Sequence, residues 1–295
     1  MPKIVSLGHI IYDIRCYVDG FPKPDKTAFI QGAIQAGGGG SAANAAVTAR
    51  MLGAESSVIC NIGTDRHGAF LLHDLHKHGV DTRGVNEVDG ASGVAIILVN
   101  KKADVEVTEM VGVAEPIRNI HESMIAEADH LHLAGCNIDA LQKAASSADC
   151  TVSFDPGRSK AHLGWKKLAG TLKHADYLIL NRHEIKKLAG KNNEREAARF
   201  LHNKFGLTCI VKRGGESVLV VGEDSFEAKT FRVKPVVDTI GAGDAFCGAF
   251  AVAKAEGKTL EKSVRFANAV AAAKVMHKGT HVRLSRPEIE RKFGV

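Results

Sequence analysis

From His130 onward, short apolar runs alternate with helix-length segments, and this rhythm constrains the fold more than any other feature of the chain. His130–Leu133, Thr151–Phe154, Tyr177–Leu180 and Thr208–Val211 have the length and apolar character of buried strands. Ile138–Ala148, Gly164–His174 and Glu194–Phe205 separate them and have helical spacing. Parallel strands need crossovers of about this length, so the pattern predicts an α/β fold with a largely parallel sheet and helices on both faces. Open sheets of this kind bind ligands beyond the carboxyl ends of their strands, which tells where to look for chemistry.

The amino-terminal part feeds the same sheet but interrupts it. Lys3–Leu7 and Ser57–Ile62 read as buried strands and Gly68–His78 as a helix. Between them, Arg15–Val18 and Thr27–Ala33 alternate like half-exposed strands on either side of the turn-rich Phe21–Asp25. Gly93–Val99 and Val105–Met110 make a second such pair. These insertions, at about 12–34 and 91–112, predict a small β-sheet lid on a single domain of residues 1–295. A hairpin, Ser217–Val221 with Glu227–Val233, precedes two long helices, Gly241–Glu256 and Leu260–His277.

Composition narrows the function classes. The net charge of +6 is mild and its Lys and Arg residues are scattered, which argues against nucleic acid as a partner. There is no apolar stretch of about 18 residues to span a membrane, and Met1–Leu7 leads into a strand rather than a signal peptide. The six cysteines form no C-x-x-C pair and mostly sit in apolar runs, as reduced thiols of a cytoplasmic protein would. Among fourteen histidines, His73 with His76 and His130 with His132 have suggestive spacing. No thiolate or carboxylate completes a metal set, so they read as ordinary core or surface residues.

Chemistry-bearing residues fall where strands end or helices begin. Asp238-Thr239-Ile240-Gly241-Ala242-Gly243-Asp244 opens a helix with two glycines and a carboxylate, leaving backbone N–H groups at the positive end of the dipole. That suits an anion, although Asp244 would serve equally as a plain cap. Asp13 and Asn44 lie beside glycines and suit a polyol, or simply a turn and a cap. Asn181 and Glu184 share one face at a helix start, which fits either hydrated Mg²⁺ or a capping box. Lys212-Arg213-Gly214-Gly215 is a basic turn suited to phosphates or to a hairpin. Asp155-Pro156-Gly157-Arg158 reads as a turn whose Arg could hold a phosphate.

Taken together, Gly8…Asp13, Gly39-Gly40-Ser41-Ala42-Ala43-Asn44, Asn181-x-x-Glu184 and Asp238–Asp244 resemble the motifs of the ribokinase-like (PfkB) carbohydrate and nucleoside kinases, over nearly the whole chain. Asp155-Pro156-Gly157-Arg158 is similar to archaeal sugar and nucleoside kinase members in particular. The resemblance implies a three-layer sandwich with a β lid and a likeness to dimers joined through that lid. It implies an ATP-dependent kinase acting on a hydroxyl of a sugar or nucleoside, with ADP as donor left open. Asp244 would be the base, with the Gly241, Ala242 and Gly243 amides as anion hole. Asp13, Gly39, Gly40 and Asn44 would bind the acceptor, and Asn181, Lys212, Gly214 and Asn268 the nucleotide. Glu184 would hold Mg²⁺ through water, and Asp238 resembles a monovalent-cation (K⁺) site. If the acceptor is a sugar phosphate such as ribose 1-phosphate or fructose phosphate, Arg158 is the candidate for its phosphate.

The strand-end loop departs from the family's Thr-x-Gly-x-x-Gly: Lys212 stands for the Thr and Ser217 for the last Gly. On electrostatic grounds the helix N-terminus should stabilise ionised Asp244 and make it a weak base. A dinucleotide oxidoreductase would need G-x-G-x-x-G after the first strand, where the chain has Gly8-His9-Ile10-Ile11. A silent regulatory relative would be free to lose Asp244, Gly241, Gly243 and Glu184, all of which are present.

Overall fold

The computed structural model describes residues 1–102 and 104–295, so residue 103 of the expected 91–112 stretch lies outside it. The first part runs β1 (Lys3–Leu7), β2 (Ile11–Tyr17), β3 (Gln35–Gly39), α1 (Ser41–Met51), β4 (Glu55–Gly63) and α2 (Arg66–Lys77). It continues through β5 (Val85–Val88), β6 (Val94–Val99), β7 (Val105–Met110) and α3 (Glu122–Ala126). The alternating part comprises β8 (His130–Ala134), α4 (Ile138–Ser146), β9 (Thr151–Asp155), α5 (Gly157–Ala161), α6 (Trp165–Leu172), β10 (Tyr177–Asn181), α7 (Arg182–Ala189) and α8 (Glu194–Phe205). The carboxyl-terminal part comprises β11 (Thr208–Lys212), β12 (Ser217–Val221), β13 (Phe226–Lys229), α9 (Ala242–Ala255), α10 (Leu260–Val275) and α11 (Arg286–Phe293).

The strands form a nine-stranded sheet in the order β13-β12-β11-β10-β9-β8-β1-β4-β5 and a four-stranded sheet in the order β3-β2-β6-β7. The large sheet is parallel from β5 to β11, and β12 and β13 add an antiparallel hairpin at one edge. Period-2 alternation buries both faces. In β10, Leu178 and Leu180 point into one core while Ile179 points into the other, which α9 and α10 cover. Full burial of such side chains contributes roughly 1.5–3 kcal/mol each. The result is a three-layer sandwich. No helix among the described residues is long and apolar enough to cross a membrane.

Strand order reverses between β8 and β1, and the crevice at such a switch point is where open α/β sheets bind ligands. Below it, α1 and α9 pack through small side chains, and a Cβ on Gly248 would strike the Ala45 carbonyl. That close approach brings Asn44 over the first turn of α9.

Several sequence expectations change here. Thr27–Ala33 is not a strand: only Ile30 makes an isolated bridge, to Val18. The partner of β2 is instead the glycine tract itself, β3, whose Gly37, Gly38 and Gly39 pair with Asp13, Tyr12 and Ile11. Backbone pairing overrode a side-chain pattern that has little apolar surface to cover. The Asp155–Arg158 turn leads directly into the short helix α5, and α11 forms where the sequence suggested no element.

Candidate active site

Asp13 and Asp244 come from opposite sides of the crevice, close enough that the Asp244 charge acts on Asp13. Asp13 projects from the small sheet into a buried position, 6% exposed. Burial pushes its carboxyl up to about 7, against the lowering pull of Arg15, whose Nη2 lies 3.5 Å away. A Cβ on Gly39 would collide with that carboxylate, so glycine at 39 makes room for Asp13. Asn44 donates from Nδ2 to Asp244 Oδ2 at 2.8 Å, and its buried Oδ1 has no partner among the described residues. Gly40 is the residue that leads into α1.

Helix α9 starts without a side-chain cap. Gly241 sits at φ 75°, and a Cβ there would be strained and only 2.5 Å from the Thr280 carbonyl. The Ala242 amide donates to the Thr239 carbonyl at 3.2 Å, so it is committed to the turn rather than to an incoming anion. The amides of Gly241, Gly243 and Asp244 have no acceptor among the described residues. Of the three amides named from the sequence, those of Gly241 and Gly243 are free among the described residues and that of Ala242 is not.

Asp244 differs from the sequence expectation in its acidity. Burial raises its carboxyl above the usual range, the Asn44 hydrogen bond lowers it, and the Asp155 charge raises it further. Desolvation outweighs the helix dipole, so Asp244 is a stronger base than its place at a helix start implied.

A second cluster lies at the ends of β9, β10 and β11. Parallel register sets Asn181 beside Lys212 and Ala134 beside Asp155. Lys212 Nζ donates to Asp155 Oδ2 at 2.8 Å and would lie 3.2 Å from a Cβ on Gly243, so its charge sits just under the free amides. The Asp155 carboxyl is held low despite its burial, chiefly by the Lys212 charge, and the Lys212 ammonium is held well above its ordinary value by Asp155. Asn181 and Glu184 form a full capping box for α7: Asn181 Oδ1 accepts from the Glu184 amide at 3.0 Å and Glu184 Oε2 from the Asn181 amide at 2.8 Å. Glu184 Oε1 accepts no hydrogen bond among the described residues, and burial followed by the Asp155 charge raises this carboxyl.

Several other candidates take definite positions. Arg158 is exposed on α5, and its charge acts on Glu184 rather than on Asp13. Gly214 lies in the exposed β11–β12 turn at φ 63°. The neighbouring Arg213 is bound to Glu194 at 2.6 Å and Glu227 at 3.0 Å, so the turn is less basic than it reads. Asn268 is buried in α10 with its Nδ2 unpartnered among the described residues. Asp238 is fully buried; its carboxylate accepts from the Ile240 amide at 3.0 Å, the Gly279 amide at 3.1 Å and Tyr17 Oη at 3.1 Å.

His130 and His132 are buried strand residues that share Ser153 Oγ at 2.8 and 3.0 Å. Burial pushes them down to about 3 and about 4, so they are neutral core side chains. Among the described residues the metal-capable side chains that converge are Asp74, His78 and His281, and His78 Nδ1 is already bonded to the Asp74 carbonyl. Sequence reasoning passed over Asp155 as a turn residue and did not single out Arg15 or Lys274. The available signal for Asp155 was its place at a strand's carboxyl end.

Comparison with known proteins agrees with this geometry. Residues 1–286 match the family model described as "pfkB family carbohydrate kinase". An ATP-dependent ribose-1-phosphate kinase of Halopiger xanaduensis is 34% identical over 92% of this chain and 91% of its own. A ribokinase of Bacillus subtilis is 30% identical over 98% and 99%. The crystal structure of a ribokinase from Thermotoga maritima superposes with a TM-score of 0.86 at 29% identity, over 99% of this chain and 98% of its own. Strand order, crevice and family match therefore agree, and the chain belongs to the pfkB family of carbohydrate kinases, as a phosphotransferase with an alcohol group of a sugar or nucleoside as acceptor.

Proposed function

We propose that the protein transfers the γ-phosphoryl group of ATP to a hydroxyl of a sugar or nucleoside held between Asp13 and Asp244. The observation that carries this reading is the Asn44–Asp244 hydrogen bond of 2.8 Å beside the free amides of Gly241, Gly243 and Asp244. Asp13, Asn44 and the Gly39–Gly40 backbone would orient the acceptor. Asp244 would take the hydroxyl proton as the bond to phosphorus forms and the bond to the leaving phosphate breaks. The free amides and Lys212 would meet the charge spread over the phosphoryl oxygens, where positioning and electrostatics supply most of the catalysis.

Mg²⁺ fits the second cluster, because Glu184 keeps one oxygen free and its carboxyl is raised by the Asp155 charge that a divalent ion would offset. Glu184, with Asp155 beside it, would hold the ion through water, and the ion would neutralise the triphosphate. Asn181, Lys212, Gly214 and Asn268 would contact the nucleotide, and the Asn268 amide, unpartnered among the described residues, is a donor suited to a base.

We read residues 1–295 as one domain whose four-stranded sheet acts as the lid. Its outer side carries Ile14, Ile96 and Met110, the last two about half exposed, which supports a homodimer joined there. Six free cysteines suit a reducing cytoplasm. A second reading, with ribose 1-phosphate or another sugar phosphate as acceptor, draws on the name of the Halopiger relative. The action of Arg158 on Glu184 supports a role for it toward the transferred phosphates rather than at Asp13. A nucleotide-consumption screen of nucleosides, pentoses, hexoses and their phosphates, with ATP and ADP each offered as donor, tests both readings. Turnover with none of them would overturn the kinase reading in favour of a regulatory member.

A further inference from the structure

Lys274 is fully buried in the last turn of α10. A buried ammonium is costly unless something fixed answers its charge. Here Nζ donates to the Asp238 carbonyl oxygen at 2.8 Å and lies 3.8 Å from Asp238 Oδ1. Asp238 in turn accepts from the Ile240 amide, and so shapes the turn that leads to Gly241. Arg15 approaches the other carboxylate oxygen, Oδ2, at 3.8 Å. The charge of Asp244 also acts on Lys274, so the ammonium lies within electrostatic reach of the first turn of α9.

A monovalent cation bound at Asp238 would need the same carbonyl and carboxylate oxygens. It does not fit, because the Lys274 ammonium already takes the carbonyl and stands beside the carboxylate, whose oxygens are themselves bonded to Ile240, Gly279 and Tyr17. An ammonium group and K⁺ are close in size and carry the same charge, so one can stand for the other. We infer that Lys274 is a built-in monovalent cation: a positioning residue that holds the Asp238–Gly241 turn with its amides outward and makes the enzyme independent of K⁺. Burial lowers its pKa to about 8 while Asp238 works against that fall, so the group is still charged at neutral pH. This inference rests on the kinase reading only for its turnover arm; its stability arm does not.

The test compares wild type, Lys274→Ala and Lys274→Met in KCl and in choline chloride of equal ionic strength. Thermal unfolding is followed first, then turnover with the acceptor found by the screen. Wild type should give the same unfolding midpoint and the same turnover, within twofold, in both salts. Lys274→Ala should lose at least tenfold in turnover in choline chloride. KCl should restore it together with the unfolding midpoint, because the vacated space then admits the ion. Lys274→Met, which fills the space without charge, should be slow in both salts and gain nothing from K⁺. A wild type stabilised or activated severalfold by K⁺ would overturn the inference. So would a folded Lys274→Ala indifferent to K⁺, or a Lys274→Met as active as wild type. Should Lys274→Ala not fold, the wild-type and Lys274→Met arms still decide. If no acceptor is turned over at all, the unfolding arm decides alone.

Discussion

The two ends of the crevice hold similar acids under different management. At the end proposed for the acceptor, Asp13 and Asp244 lie across the gap from each other, and burial is the largest influence on both, so both carboxyls are raised. At the end proposed for the phosphates, Asp155 is partly buried (side chain 13% exposed), yet Lys212 at 2.8 Å holds its carboxyl low. The contrast teaches that one paired lysine separates a carboxylate kept as a fixed charge from one kept ready to take a proton.

The largest expected effect breaks the acceptor end. Asp244→Asn keeps the shape and removes the base, so kcat should fall roughly 10²- to 10⁴-fold. Nucleotide binding, measured by calorimetry, should persist. Near-normal turnover would remove Asp244 from its role.

Next in size is the phosphate end. Lys212→Met leaves Asp155 buried without its cation and should cost about 3–5 kcal/mol of stability in denaturant titration. A loss well under 1 kcal/mol would mean that solvent already screens the pair and that the two ends differ less than described.

The smallest effect sharpens the comparison at Asp13. Asp13→Asn replaces a charged acceptor by a neutral one, a difference of about 1 kcal/mol, or roughly fivefold in KM with little change in kcat. Its pH dependence has a definite sign. The native carboxyl is raised to about 7 from 3.8, so between those values the folded state holds a proton that the unfolded chain releases. Stability therefore falls as pH rises through that window, and the Asn variant should not share this fall. Equal pH profiles for the two proteins would show that Arg15 offsets the burial of Asp13.

Much of the architecture was legible. Lys3–Leu7, Val105–Met110, Ser217–Val221 and Glu194–Phe205 form elements with the expected bounds, because each combines strong periodicity with clear end signals. Asn193 caps α8 and Gly206 ends it at φ 76°. Thr27–Ala33 failed because its alternation covers no core. Arg213 read as a free basic residue because its partners, Glu194 and Glu227, are far away in the chain.

The sequence by itself determined the alternating α/β plan, the motif residues at strand and helix ends, and the kinase family they resemble. These depend on local periodicity and short spacings, which a linear chain displays. Only the tertiary structure decided the charge states. Asp244 is raised rather than lowered because the burial around it comes from α1 and the strand ends, not from its own helix. Lys274 reads in the sequence as an ordinary last-turn lysine beside the negative end of a dipole. Its meaning depends on Asp238, 36 residues away in the chain, whose carbonyl its ammonium reaches in a water-excluded place. Desolvation and charge pairing are set by whatever surrounds a group in three dimensions, and that is why they became visible only in the folded chain.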